Sequence, residues 1–244
     1  MNVVFLGATK GMGRSLARLM AARGDRLALL GRDSGDLSRS ASDLRAFGAG
    51  AVETIDCDLL ERASFGPALD RAATALGRLD AVVVTAGLFA TQEELENDAE
   101  LRDRLLTADF TNTVHFCEEA RVRLLANGGG TLCVFSSVAG ERGRKPVLLY
   151  GAAKAGLSHY LEGLDHKFRS AGLRTITVKP GFVKTGMTAG LKPPPFAGEP
   201  DGVARTVLKA IDNGTPVVFA PGMWRWIMLV IRSLPRAVMR RIGF

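Results

Sequence analysis

Short strand-like runs, apolar throughout or with apolar and polar residues interspersed, alternate along the chain with longer stretches in which apolar positions recur every three or four residues. The runs fall at 2–6, 26–31, 51–56, 80–85, 130–136, 174–179 and 216–220; the amphipathic stretches fall at 12–23, 36–47, 64–76, near 100–126, 150–170 and 201–213. Continuous apolar strands are buried on both faces, and strands alternating with amphipathic helices place those helices as crossovers between parallel neighbours. The pattern therefore predicts an α/β fold: a Rossmann-type doubly wound parallel sheet flanked by helices on both faces. A length of 244 residues suits one such sheet without a second domain. The expected organisation is a single catalytic domain over 1–221, followed by a basic amphipathic helical tail over 222–244. In open sheets of this kind the ligand crevice lies beyond the carboxyl ends of the strands, so the residues just after each run carry the functional information.

The first run ends in Gly7-Ala-Thr9-Lys10-Gly11-Met12-Gly13 and passes into a helical stretch. Strand, glycine turn and helix in that order let backbone approach a pyrophosphate at a helix N-terminus, where unpaired N–H groups and the dipole favour anions. Later in the chain, Ser137 closes an apolar run, and Tyr150 and Lys154 lie one helical turn apart in Tyr-Gly-Ala-Ala-Lys. A phenol serves as proton donor or acceptor once its pKa approaches the working pH, and a neighbouring ammonium lowers it, each unit corresponding to ~1.4 kcal/mol. Lys154 is placed to do this, and Ser137 to donate to the same substrate oxygen.

With these residues the chain resembles the short-chain dehydrogenase/reductase superfamily, in its single-domain branch, from residue 2 to about 220. The family's Gly-x-x-x-Gly-x-Gly turn is matched by Gly7, Gly11 and Gly13, and its Ser, Tyr and Lys by Ser137, Tyr150 and Lys154. The resemblance implies an NAD(P)(H)-dependent oxidoreductase that exchanges hydride between the nicotinamide and a ketone or secondary alcohol. It places Asp58 and Leu59 at the adenine, Thr85-Ala86-Gly87 where the family has Asn-Ala-Gly, and Pro180, Gly181, Val183 and Thr185 at the nicotinamide amide. Thr9, Lys10 and Met12 fall within the phosphate turn. Assembly as a homodimer or homotetramer through the long helices is also implied. Two positions depart from the pattern. Thr85 replaces an Asn in a segment that acts through its backbone, and Asp109 stands where the family has an Asn that orders a water beside the catalytic Lys. An anion at 109 favours charged Lys154 and opposes a phenolate at Tyr150, so the expectation is slower proton relay or a higher pH optimum. Asn112 is an alternative for the Asn role at a poorer register. Asp109 also carries the alternative reading of a dinucleotide-binding scaffold or sensor with impaired turnover.

Cofactor choice is read at the tip of the second strand, where an acidic residue accepts the ribose hydroxyls of NAD. Here the tip is Gly31 followed by Arg32, with Lys10 in the turn and Asp33 close by. A guanidinium binds phosphate oxygens bidentately, which favours NADP(H) over NAD(H).

Cys57, Cys117 and Cys133 have no metal spacing and read as reduced core residues; His115, His159 and His166 are scattered, and no metal is expected. The first strand begins at residue 2, which leaves no removable signal and points to the cytoplasm. The net charge is +7, and no acidic residue follows Asp212. In the tail, Arg225, Arg232, Arg236 and Arg240 line one helical face, and Ile227, Ile231, Leu234, Val238 and Ile242 another. The apolar run from Trp226 to Ile231 falls far short of the ~20 residues needed to span a bilayer. Peripheral docking on anionic lipid through 224–244, with Pro235 dividing the helix, stands beside packing on a subunit or on the chain's own cleft. Nothing resembles a nucleic-acid reader. The Gly- and Pro-rich loop 185–200 lies where the family builds its substrate lid. The segment Pro180 to Leu191 and the Arg232-Ser-Leu-Pro-Arg236 tail also resemble reductases of decaprenyl-phosphoryl 2-keto-pentose, implying a keto group on a lipid-linked sugar or another long-chain lipid.

Overall fold

The computed structural model describes residues 1–243. Its strands are β1 (Asn2–Leu6), β2 (Arg26–Gly31), β3 (Ala51–Asp56), β4 (Ala81–Val84), β5 (Gly130–Phe135), β6 (Leu173–Pro180) and β7 (Val217–Ala220). Its helices are α1 (Gly11–Ala22), α2 (Ser34–Ala46), α3 (Phe65–Leu76), α4 (Gln92–Asn97), α5 (Ala99–Leu106), α6 (Thr113–Ala126), α7 (Leu148–Phe168), α8 (Pro200–Asn213), α9 (Trp224–Ser233) and α10 (Arg236–Arg241).

The strands form one seven-stranded sheet in the order β3-β2-β1-β4-β5-β6-β7, every neighbouring pair parallel. Successive side chains of β1 alternate between its faces, and both are covered. Val3 and Phe5 pack with Leu16 and Met20 of α1, Leu44 of α2 and Val207 of α8. Val4 and Leu6 pack with Leu69 of α3, Phe116 of α6 and Leu161 of α7. This double burial is why the central strands β1 and β4 read as almost unbroken apolar runs, while the edge strand β3, Ala-Val-Glu-Thr-Ile-Asp, does not.

Three local departures from the sequence pattern bear on function. The stretch expected as one helix near 100–126 is interrupted at Thr107–Asn112 by a wide π-helical turn, where the Thr113 hydroxyl donates to the Ala108 carbonyl at 2.6 Å. Asp109 sits on that turn and is fully buried. The short helix α4 was not expected. Thr91 and Glu94 close a reciprocal capping box at its start, a signal readable in Thr-x-x-Glu. Lastly, the tail divides at Pro235 into α9 and α10, as its proline implies, and the side of α9 that meets the protein overlaps the expected stripe only in part, at Ile227 and Ile231. Its buried residues are Trp224, Met228 and Ile231; Ile227 and Leu234 are half-buried, and Val238 is exposed. Helix α9 is apolar on two sides, and periodicity alone does not choose between them.

Candidate active site

The ends of β1, β2, β3 and β4 open onto a cleft of about 400 Å³, lined among others by Gly7, Thr9, Lys10, Gly11, Met12, Gly13, Arg32, Asp58, Leu59, Ala86, Gly87 and Thr185. All but five of the expected cofactor-binding residues thus share one cavity; the exceptions are Tyr150, Lys154, Pro180, Gly181 and Val183. The turn after β1 requires glycine at residue 7: φ is +103°, and a Cβ there would overlap the Ala86 amide nitrogen. Thr85 supports the turn from β4 by donating its hydroxyl to the Gly7 carbonyl at 2.7 Å. Helix α1 begins without a side-chain cap and without an acidic residue in its first turn, so its leading N–H groups face the cleft free for an anion. At the other end, the Asp58 carboxylate accepts the Leu60 amide at 2.9 Å, and Asn112 donates to the Leu59 carbonyl at 2.9 Å. Asn112 therefore braces this loop and does not stand in for the Asn missing at 109.

The charges at the tip of β2 are arranged unequally. Lys10 pairs with Asp36 of α2 at 2.9 Å, so its cation is partly compensated. Asp33 caps α2 by accepting the Asp36 amide at 2.7 Å. Arg32 is exposed on the cleft wall and has no ion-pair partner among the described residues. These residues fit a dinucleotide: a glycine cradle for the diphosphate, an unspent helix N-terminus and an exposed guanidinium on the cleft wall.

The expected catalytic residues lie outside the lining of that cleft, after β5 and on α7. Ser137 follows β5, and its Oγ accepts the Ala139 amide at 3.1 Å. Tyr150 and Lys154 project from the first turns of α7, and the Lys154 Nζ is 5.6 Å from the centre of the Tyr150 ring. Lys154 is 4% exposed, so it is a buried cation rather than a solvated one. Its Nζ lies 3.3 Å from Asp109 Oδ2, off the direction of a good hydrogen bond, an ion contact that leaves Oδ2 without a close donor. Asp109 Oδ1 accepts the Leu88 amide at 2.6 Å. A Cβ on Gly87 would come 2.9 Å from Asp109 Oδ1 and 3.4 Å from Lys154 Nζ, so the cleft and the ion pair share a wall one residue thick.

The electrostatics correct one expectation. Burial pushes the Tyr150 phenol above its ordinary value; Lys154 pulls it down, Asp109 pushes it up and Ser137 pulls it down, with a net upward direction. Tyr150 is half-buried, so water tempers that push. Burial works against the Lys154 ammonium, but Asp109 and then Tyr150 more than offset it, and its direction is also upward. Burial raises the Asp109 carboxyl against the pull of Lys154 and of the Leu88 amide.

Beyond β6, the Pro180-Gly181 turn meets a residue the sequence reading missed. The Trp224 indole lies so close over Gly181 that any side chain there would overlap it, and Trp224 clusters with Val138, Met228 and Ile231. The available signal was the bare glycine itself, which leaves room for a large ring. The segment between Ser137 and Tyr150 grips the tail. Arg142 donates to the Leu234 carbonyl at 3.0 Å and Lys145 to the Arg240 carbonyl at 2.8 Å. Glu141, its side chain 6% exposed, pairs with Lys179 at 2.6 Å and Arg232 at 3.1 Å. Val183 is buried and bridges to Gly198, so the loop between them is an excursion with pinned ends. Thr185 places its methyl beside the Gly11 backbone. The three cysteines are buried thiols, and burial raises the pKa of each.

A sequence profile described as short chain dehydrogenase matches residues 1–195. An uncharacterized oxidoreductase of Mycobacterium tuberculosis is 35% identical over 240 residues, covering 98% of this chain and 96% of that protein. A short-chain dehydrogenase from Sphingobium yanoikuyae, solved in complex with NADPH, is 25% identical, covers 97% of this chain and 98% of its own, and has a TM-score of 0.82. A short-chain type dehydrogenase/reductase from Mycobacterium ulcerans is 20% identical, covers 98% and 97% of the two chains with a TM-score of 0.83, and shares the fold.

Proposed function

This chain belongs to the short-chain dehydrogenase/reductase family, and on that footing we propose that it is an NADPH-dependent reductase of a keto group carried on a lipid or lipid-linked sugar. The observation that carries the redox reading is the shared wall at Gly87: a buried Lys154, paired with Asp109 and set beside Tyr150, adjoins the cleft built for a dinucleotide. Bound nicotinamide supplies or accepts the hydride. Ser137 orients the substrate oxygen, Tyr150 gives that oxygen its proton, and Lys154 holds the positive charge that steadies the phenolate left behind. The Lys154 ammonium and the Ser137 hydroxyl both pull the Tyr150 phenol down against the push of burial, which is the direction that eases release of its proton. Lys154 is also placed to hold the nicotinamide ribose, and Pro180, Gly181, Val183 and Thr185 to border the nicotinamide amide.

Preference for NADP(H) rests on Arg32, a cation at the β2 tip without a carboxylate partner among the described residues, and on Asp33 being engaged as a helix cap. A lipidic substrate is supported by Met187, Leu191 and Phe196, exposed apolar residues on the pinned loop. An anionic group on it is supported by Arg144, on the stretch of chain that joins Ser137 to Tyr150, whose buried Nε has no acceptor among the described residues. Assembly as a homodimer or homotetramer is supported by Phe110, Val122 and Leu148, exposed at the π turn, on α6 and at the start of α7; light scattering of the purified protein measures it. No helix among the described residues is long and apolar enough to cross a membrane. The test is oxidation of NADPH and of NADH with ketones graded from short to long-chain and phosphorylated forms. Faster turnover with NADPH and with longer or anionic ketones is expected. Tight NADPH binding with no turnover of any ketone would support the scaffold reading instead.

A further inference from the structure

Helix α9 has two apolar faces, and the protein uses one. Trp224, Met228 and Ile231 are buried against Val138 and the Gly181 turn. On the opposite side Met223, Trp226, Leu229 and Val230 stand 49, 65, 54 and 63% exposed, and they fall at helical spacings that make one continuous patch. Scattered apolar residues on a surface need no explanation; a contiguous patch with a Trp at its centre does.

We propose that this outer face of α9 docks the protein on an anionic lipid surface, with the helix remaining packed on the catalytic shoulder. The charge around the patch selects this occupant. Arg225 lies 5.8 Å over the Trp226 ring, α10 adds the exposed Arg236, Arg240 and Arg241, and no acidic residue follows Asp212. A second copy meeting this face about a two-fold axis sets the patch against itself, arginine against arginine, with nothing to neutralise them. An anionic headgroup layer supplies that neutralisation while the tryptophan and aliphatic side chains enter the acyl boundary. The polar ties of Arg142, Lys145 and Glu141 to the tail hold α9 and α10 in place, so docking requires no unfolding of the site. It leaves the Gly181 turn one helix diameter, about 10 Å, from the lipid. The purpose of such docking, access to a lipid-borne ketone, rests on the reductase reading; the docking itself does not.

The experiment is co-sedimentation of the full chain with phosphatidylcholine vesicles that contain or lack phosphatidylglycerol, at low and high salt. The wild-type protein is expected to pellet with the anionic vesicles and to be released by salt. The double variant Trp226→Ser, Val230→Ser is expected to bind them about tenfold more weakly, with unchanged melting temperature and NADPH affinity. Turnover of a water-soluble ketone, equal in wild type and variant, separates a failure of docking from a failure of the reductase reading. Wild type remaining in the supernatant, a variant that binds as well as wild type, or a dimer that the double variant dissociates without any vesicle binding would each overturn the proposal.

Discussion

The two halves of the crevice are built from different materials. Beyond β1 to β4 the wall is mostly backbone: a glycine turn, an uncapped helix start and the Thr85-Ala86-Gly87 segment, with few side chains in defining positions. Beyond β5 to β7 it is side chains: Ser137, Tyr150 and Lys154, braced by Asp109 from a π turn and by Trp224 from the tail. A backbone-built site demands particular residue types at fixed spacings and tolerates little else. A side-chain-built site depends on which elements pack together, so distant parts of the chain tune it.

If the halves are separable, substitutions of Ser137 and Trp224 should spare nucleotide affinity, whereas Lys154, placed at the nicotinamide ribose, serves both halves. The largest effect is expected from Lys154→Met, which removes the charge that stabilises phenolate and should lower kcat by roughly 10²–10⁴, measured as NADPH oxidation with the best ketone. Next, Trp224→Ala should cost about 3 kcal/mol of stability, the low end for a buried tryptophan because one edge is wet. A urea midpoint reads this, and NADPH affinity should hold at denaturant-free conditions; a parallel loss of affinity would show the halves to be coupled through Gly181. On the nucleotide side, Arg32→Ala should raise the KM for NADPH by roughly 10- to 100-fold, the value of a charge-assisted contact, and leave that for NADH nearly unchanged. The smallest effect is Asp109→Asn. Asp109 pushes both Tyr150 and Lys154 upward, so its removal should move the alkaline limb of the reduction profile, where Tyr150 loses its proton, to lower pH. A kcat/KM profile with NADPH measures that limb, and an unmoved limb would contradict the direct pairing with Lys154.

Legibility in the sequence follows the same division. Gly7, Gly11 and Gly13 after an apolar strand, and Tyr150 and Lys154 one turn apart, announce themselves because local geometry requires them there. The strand positions and the parallel class follow from runs such as Ala81–Val84, apolar throughout because both faces are covered. The pairing of Lys10 with Asp36 is not legible, since it depends on how α2 approaches the glycine turn. Nor is the π turn, which takes one extra residue into a helical ring without any compositional mark and delivers Asp109 directly to Lys154. The tail was readable as amphipathic but not as two-faced: Trp224 and Trp226, two residues apart, point to opposite sides, one over Gly181 and the other into solvent.

The central claim is that the Tyr150 phenol, buried beside Lys154 at the edge of the nucleotide cleft, delivers the proton for carbonyl reduction. Tyr150→Phe removes one oxygen and little else, and two readouts on the same sample decide the matter: NADPH binding by fluorescence titration and ketone-dependent NADPH oxidation. Binding unchanged with turnover lowered by roughly 10²–10⁴ is the expected result. Turnover within about twofold of wild type would contradict the claim, because a reaction indifferent to that hydroxyl takes its proton from elsewhere.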